Sequence, residues 1–294
     1  MSEAVAFVGL GAMGLPMTNC LLRKRFVVRG YDVVPRRVEL HREAGGVACS
    51  SSLEAGSGAQ IGVVVVLNAD QAEEAVFGQA GLARSLAAGS VVVSMTTMSP
   101  ERSRSLAARA AEHGLRWLDA PVSGGTERAA SGSLTTMVGA DATDLERARP
   151  VLDALSKHVF HLGPVGAGAT AKMVNQMLVY CNLAAAVEAM ALCRKAGADP
   201  RAVYDVICTA MGASAIFESR VPRLIDGTYQ SGGSMRIALK DLGILEDTAR
   251  ELGLPVFMTS QATQLFRAAA AADLADADDL AVARVFDRLA GLES

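Results

Sequence analysis

Aromatic side chains are scarce in this chain, 4% of 294 residues, and no run of lysine and arginine interleaves with them. A surface that stacks bases and neutralises phosphates needs both features, so no nucleic-acid partner is expected. The net charge of −3 agrees. Cysteine is also thin: Cys20, Cys49, Cys181, Cys193 and Cys208 are scattered, odd in number and without a CxxC pair. That is the usage of a reducing compartment, where cysteine serves as a small apolar residue. The first residues, MSEAVAFVGLGAMG, lack a basic segment and carry only a short apolar run. They read as a first strand and not as a signal peptide, so a cytoplasmic protein is expected. The most apolar stretch, 168–193, is interrupted by Asn175, Gln176, Asn182 and Glu188, and no membrane span is expected there. His158 and His161 lie three apart on a strand-like segment, which puts them on opposite faces, and no second His/Cys cluster exists to complete a metal site. A Gly-x-Ser-x-Gly elbow is absent, which removes the common Ser-His-Asp hydrolase.

What is present is a globular composition, 51% hydrophobic and 20% charged, over a length that holds one large domain or two ordinary ones. AVAFVG, FVVRGYD, IGVVVVLN, SVVVSM and LRWLDA read as strands, separated by Ala-, Arg- and Glu-rich helical segments. Such near-continuous apolar strands imply a parallel sheet covered by helices on both faces. LTTMVG and KHVFHLG add two strands, with a helix between them from about Asp141 to Leu155. Beyond the breaker GPVGAG everything reads as helix, beginning with a long one from Ala169 to about Ala196. The expected fold is α/β: a Rossmann-type doubly wound sheet over residues 1–164, then an all-helical domain over 165–294, joined by the long interdomain helix.

Gly9, Gly11 and Gly14 form GxGxxG between the first strand and a helix, and Asp32 ends the second strand 18 residues past Gly14. The spacing is that of a dinucleotide site. Gly9 allows the tight turn, Gly11 the approach of pyrophosphate, and Gly14 the helix–strand packing. Asp32 suits the adenine-ribose hydroxyls and repels a 2′-phosphate, so NAD is the expected cofactor. NADP stays open, because Arg36 and Arg37 follow closely, although both read as a solvated helix start. Ser123-Gly124-Gly125, at a strand-to-helix turn, offers a hydroxyl and successive N–H groups to an anion. Lys172 stands near the start of the apolar helix, where an unpaired ammonium is costly, and Asn175 shares its face three residues on.

The blocks FVGLGAMGLPM, DAPVSGG, GPVGAGATAKMVNQ and LKDLG occur in the order and at the separations of the β-hydroxyacid dehydrogenase family, and the chain resembles that family over essentially its whole length. The stretches VVLNADQAEEAVFG and FESRVPRLIDGTY, with Gln176, look most like the branch that oxidises L-threonate. The resemblance implies Lys172 as general acid/base and Asn175 as the residue orienting it and the substrate. It implies Ser123, Gly124 and Gly125 as the seat of the substrate carboxylate. Cofactor contacts would be Gly9, Gly11, Met13, Gly14, Asp32, Leu67, Asn68, Thr97 and Lys240, with Asp241 a structural partner. A free lysine titrates near pH 10.4, so base work needs a lowered value, which an apolar seam and Lys240 would favour. Glu127, Arg128 and Ala215 depart from the family's usual residues and leave the particular acid open. The substrate expected is a small carboxylate-bearing hydroxy acid such as L-threonate; 3-hydroxyisobutyrate dehydrogenase and tartronate semialdehyde reductase are the rivals. An imine reductase typically replaces the lysine. A non-catalytic dinucleotide-binding module is the alternative of another class. The long apolar helix points to a homodimer or homotetramer.

Overall fold

The structure is a computed structural model and describes residues 4–230 and 232–292. Strand β1 (Ala4–Val8) shows how the first half is built. Successive side chains of a strand point to opposite faces. Val5 and Phe7 therefore enter one core with Met17, Leu21, Leu145 and Leu152, while Ala6 and Val8 enter another with Ala72, Val76, Leu106 and Trp117. Both faces are dry, which is why the strands read as unbroken apolar runs.

The remaining strands are β2 (Val27–Tyr31), β3 (Val47–Ala48), β4 (Ile61–Val64), β5 (Val91–Ser94), β6 (Arg116–Asp119), β7 (Val122–Ser123), β8 (Leu134–Gly139) and β9 (Ser156–Gly163). Their order is β3-β2-β1-β4-β5-β6-β8-β7, with β9 paired to β8. Pairing is parallel from β3 to β6, antiparallel for β8 against β6 and β7, and parallel again for β9. The five strands from which the sequence implies a parallel sheet, β1, β2, β4, β5 and β6, are parallel, and mixed pairing is confined to the end that β7, β8 and β9 add. β3 and β7, two residues each, are too short to carry a period and go unread in the sequence. Helices α1 (Gly14–Arg23), α2 (Pro35–Glu43), α3 (Ser52–Gly56), α4 (Ala69–Phe77), α5 (Pro100–Glu112), α6 (Gly125–Ser131) and α7 (Ala142–Leu155) connect the strands.

Helix α8 (Ala167–Lys195) follows, then α9 (Pro200–Ile207), α10 (Ala215–Ile225), α11 (Met235–Glu251), α12 (Phe257–Ala269) and α13 (Ala283–Ala290). The chain divides into two compact units, Met1–Lys172 and Met173–Ser294, so the division falls inside α8. By length and apolarity alone α8 could cross a bilayer. Its Met173, Tyr180, Leu183, Val187 and Met190 recur at helical spacing and pack with Phe217, Leu242 and Phe266 in the core of the second unit. Asp199, Ser214 and Ser234 cap α9, α10 and α11 by accepting from the N–H of Arg201, Phe217 and Ile237. The alanine run that reads as a continuing helix instead leaves α12 through a widened turn, with Asp273 at φ +65°.

Candidate active site

Strands β2, β1, β4, β5 and β6 are parallel neighbours, so their carboxyl ends share one edge of the sheet. Ligands of open α/β sheets bind at that edge. Gly9 follows β1, Asp32 follows β2, Leu67 and Asn68 lie just past β4, Thr97 lies past β5, and Asp119 ends β6. Backbone bonds extend the pairing beyond the strands: Gly9 N–H donates to Tyr31 O at 2.9 Å, and Met95 N–H to Val64 O at 2.9 Å.

The glycine turn is steric in origin. Gly9 has φ +98°, and a Cβ there would collide with the Val65 carbonyl; one on Gly14 would collide with the Gly9 carbonyl. At Gly11 a Cβ would meet nothing nearer than the Arg37 guanidinium at 3.9 Å, so this side of the loop is open. Met13 is the N-cap position of α1, whose first turn has neither a capping side chain nor an acid. The positive end of that helix is left for an anion. Buried Asp32 accepts from Leu10 N–H at 2.7 Å and from Val34 N–H at 2.8 Å, which braces the glycine turn against the end of β2. Arg37, read as solvated from sequence, instead lies 3.3 Å from Asp32, whereas Arg36 pairs with Glu43 near the surface. This loop, helix end and carboxylate fit a dinucleotide.

Asn68 caps α4 by accepting from Gln71 N–H at 2.9 Å, and Gln71 reaches back to Leu67 N–H at 3.0 Å. The pair thereby fixes the end of β4, and the Leu67 side chain stands half exposed. Thr96 accepts from Val66 N–H at 3.1 Å, which ties that rim to the segment carrying Thr97.

Ser123 ends β7. Gly124 has φ +138° and Gly125 φ +66°, and a Cβ on Gly125 would meet open space. Lys172 is buried, and its ammonium donates to Val122 O at 2.8 Å, one residue before this turn. The structure thus brings the lysine and the Ser-Gly-Gly turn together within the first unit. Asp119 explains the placement and goes unread in the sequence. Its Oδ1 accepts from Gly166 N–H at 2.7 Å and its Oδ2 from Ala169 N–H at 2.6 Å. A carboxylate at the end of β6 therefore caps the helix that carries Lys172. A Cβ on Gly168 would collide with Met137 O and crowd Asp119, so the small residues of GAGA permit this approach. Burial pushes the Asp119 carboxyl up to about 6, against the pull of the N–H donors of Gly166, Ala169 and Gly168. The only visible signal is that Asp119 stands inside DAPVSGG.

In the second unit Asn175 donates to Gln176 Oε1 at 2.9 Å, and Gln176 Nε2 donates to the buried Asp241 carboxylate. Tyr180 donates to the same carboxylate at 3.2 Å, and Lys240 pairs with it at 3.0 Å. Asn175 and Lys240 thus belong to one network. Asp241, 1% exposed, is its hub, as its reading as a structural partner suggests.

A glycine turn, a buried carboxylate at the end of β2 and a carboxyl-edge rim on a doubly wound sheet define a dinucleotide-binding protein. Comparison with known proteins narrows the class. The family model of the NAD binding domain of 6-phosphogluconate dehydrogenase matches residues 4–163. That of the NAD-binding of NADP-dependent 3-hydroxyisobutyrate dehydrogenase matches residues 166–286. The L-threonate dehydrogenase of Cupriavidus necator is 41% identical over 97% of each chain. The 2-hydroxy-3-oxopropionate reductase of Escherichia coli is 32% identical over 97% of this chain and 98% of its own. The solved 3-hydroxyisobutyrate dehydrogenase of Salmonella typhimurium shares the fold at a TM-score of 0.89 and 35% identity, covering 97% of this chain and all of its own. The chain belongs to the 3-hydroxyisobutyrate dehydrogenase-like family of β-hydroxyacid dehydrogenases, NAD(P)-dependent enzymes that act on hydroxy acids.

Proposed function

We propose that the protein oxidises a small sugar acid, L-threonate to its 2-oxo acid, with NAD and with Lys172 as general acid/base. The observation that carries this reading is the seat of Lys172, buried and hydrogen-bonded to Val122 O beside the Ser123-Gly124-Gly125 turn. A carboxylate held by the Ser123 hydroxyl and the N–H groups of that turn puts the neighbouring C2 hydroxyl next to the ammonium nitrogen. Neutral Lys172 accepts that hydroxyl proton, and in the reverse direction the ammonium returns it. Bound NAD supplies the acceptor for the hydride that leaves C2. Asn175, one helical turn on, orients the substrate, and Lys240 is a cofactor contact. Gly9, Gly11, Met13, Gly14, Leu67, Asn68 and Thr97 hold the cofactor, with Asp32 on the ribose hydroxyls. The buried Asp32 carboxylate disfavours a 2′-phosphate and supports NAD, while Arg37 beside it would attract one and keeps NADP open.

The choice of L-threonate is supported by the Cupriavidus necator relative and by Gln176. The protein is read as a cytoplasmic homodimer or homotetramer. Exposed Val174 and Leu178 on α8, with Phe257 and Met258 on α12, support the assembly, and five unpaired thiols suit a reducing compartment. A spectrophotometric screen of hydroxy acids with NAD and NADP tests the reading, and L-threonate with NAD should give the highest kcat/KM. Faster turnover of 3-hydroxyisobutyrate, or of tartronate semialdehyde with the reduced cofactor, would replace the substrate. No turnover of any hydroxy acid would leave a dinucleotide-binding module.

A further inference from the structure

Three amide and carboxylate side chains of the second unit lie in a row: Asn175, Gln176 and Asp241. An amide has two chemically different ends, and which end faces a neighbour is set by what that neighbour can accept or donate. An ionised carboxylate accepts only. Asp241 is 1% exposed, so its charge has to be met by donors from the protein. Lys240 meets it as an ion pair, 3.0 Å from Oδ1, and Tyr180 donates to Oδ2 at 3.2 Å. Burial and the Asp241 charge push the Tyr180 hydroxyl well above its usual range, so it remains a donor. Gln176 must then turn its Nε2 toward Asp241, and its Oε1 is left to face Asn175. Asn175 answers with Nδ2 at 2.9 Å. Its nitrogen end is anchored inward and its carbonyl oxygen is directed away from the network.

We propose that Gln176 and Asp241 are positioning residues that fix the amide orientation of Asn175, so that it offers its Oδ1 as an acceptor to a substrate hydroxyl other than the one Lys172 deprotonates, while the same carboxylate holds Lys240. This rests on the reading of Asn175 and Lys240 given under Proposed function. The second arm predicts a coupling: one buried charge governs both the orientation of a substrate contact and the seat of a cofactor contact.

The polarity can be rebuilt from the other side. In Asp241→Asn the acceptor-only group is gone, both amides can turn over, and Lys240 loses this carboxylate. Adding Gln176→Glu returns a single carboxylate, now one position nearer Asn175. It accepts from Asn175 Nδ2 and from the new amide at 241, but does not restore the charge beside Lys240. Steady-state kinetics on the full protein with the best substrate of the screen should show kcat lowered about tenfold or more in D241N. In D241N/Q176E kcat should recover to within about threefold of wild type while KM for NAD stays raised. Gln176→Leu, which removes the acceptor without adding charge, should lower kcat like D241N with KM for NAD less affected. It also serves where D241N does not fold. A double variant that is folded but no faster than D241N overturns the proposal, as does recovery of kcat and KM together. Asn175→Ala separates the two levels: if it turns over at the wild-type rate, the reading of Asn175 fails and the proposal with it. If it is impaired while Q176L and D241N are not, only the proposal fails.

Discussion

At Lys172 an ammonium sits buried at 2.8 Å from the Val122 carbonyl, near the start of a largely apolar helix. Taking such a group out of water costs several kcal/mol, which its bonding partners have to offset. A lysine kept there for packing would be a poor choice; one kept for proton transfer would not. Lys172→Met, which relieves the burial of the ammonium but leaves the Val122 carbonyl without this donor, should stay folded and melt within a few degrees of wild type. It should lose turnover by about 10²- to 10⁴-fold and bind NAD within about threefold of wild type. Thermal melts, turnover and cofactor titration check the three parts, and turnover near wild type would remove the lysine from the mechanism. Because only the neutral amine accepts a proton, kcat/KM for oxidation should climb as pH rises above 7, and that for reduction should not. An oxidation optimum below pH 7 counts against the lysine. The residue and its neighbour Asn175 are legible in the sequence, because a charge near the start of an apolar helix stands out. The Val122 carbonyl is not, since a backbone group 50 positions away leaves no mark on the pattern.

The start of α8 belongs to the scale of elements. GPVGAG holds no Ser, Thr, Asp or Asn to act as a local cap. The cap is Asp119, 47 and 50 positions before the two N–H groups it receives. This carboxyl has opposing influences, burial favouring the protonated form and the N–H donors the ionised one, and burial prevails, at about 6 against an ordinary 3.8. A folded state that holds its proton more tightly than the unfolded chain loses stability as pH rises between those two values, and changes little above the higher one. Urea unfolding of wild type and Asp119→Asn should show this. The stability advantage of wild type should shrink from pH 4 to pH 6.5, by at most about 3 kcal/mol, and then level off. An advantage that grows with pH would mean that the N–H donors outweigh burial. The strands and most helices on either side were open to inspection through their periods. Two-residue β7, which aims the Ser-Gly-Gly turn, offered no period to read.

For the whole molecule, the second unit exposes several large apolar side chains, among them Val174 and Leu178 one turn apart on α8 and the adjacent Phe257 and Met258 at the start of α12. Exposed apolar side chains of this size would be covered in the proposed assembly. Wild type should elute with light scattering at two or four times the 30.5 kDa chain. Leu178→Glu should shift the protein toward the single-chain mass with its melting transition retained; an unchanged mass would place the assembly elsewhere. The sequence by itself determined the alternation of strand and helix, the glycine turn with Asp32 at the end of the next strand, and the lysine and asparagine one turn apart. Each is written in residues close along the chain, where strand and helix periods tie position to face. Only the tertiary structure decided that Asp119 caps α8, that Arg37 lies on Asp32, and that Asn175 and Lys240 hang on one carboxylate. Gln176 and Asp241 are 65 positions apart, and a hydrogen bond between such groups exists only once packing has closed the distance.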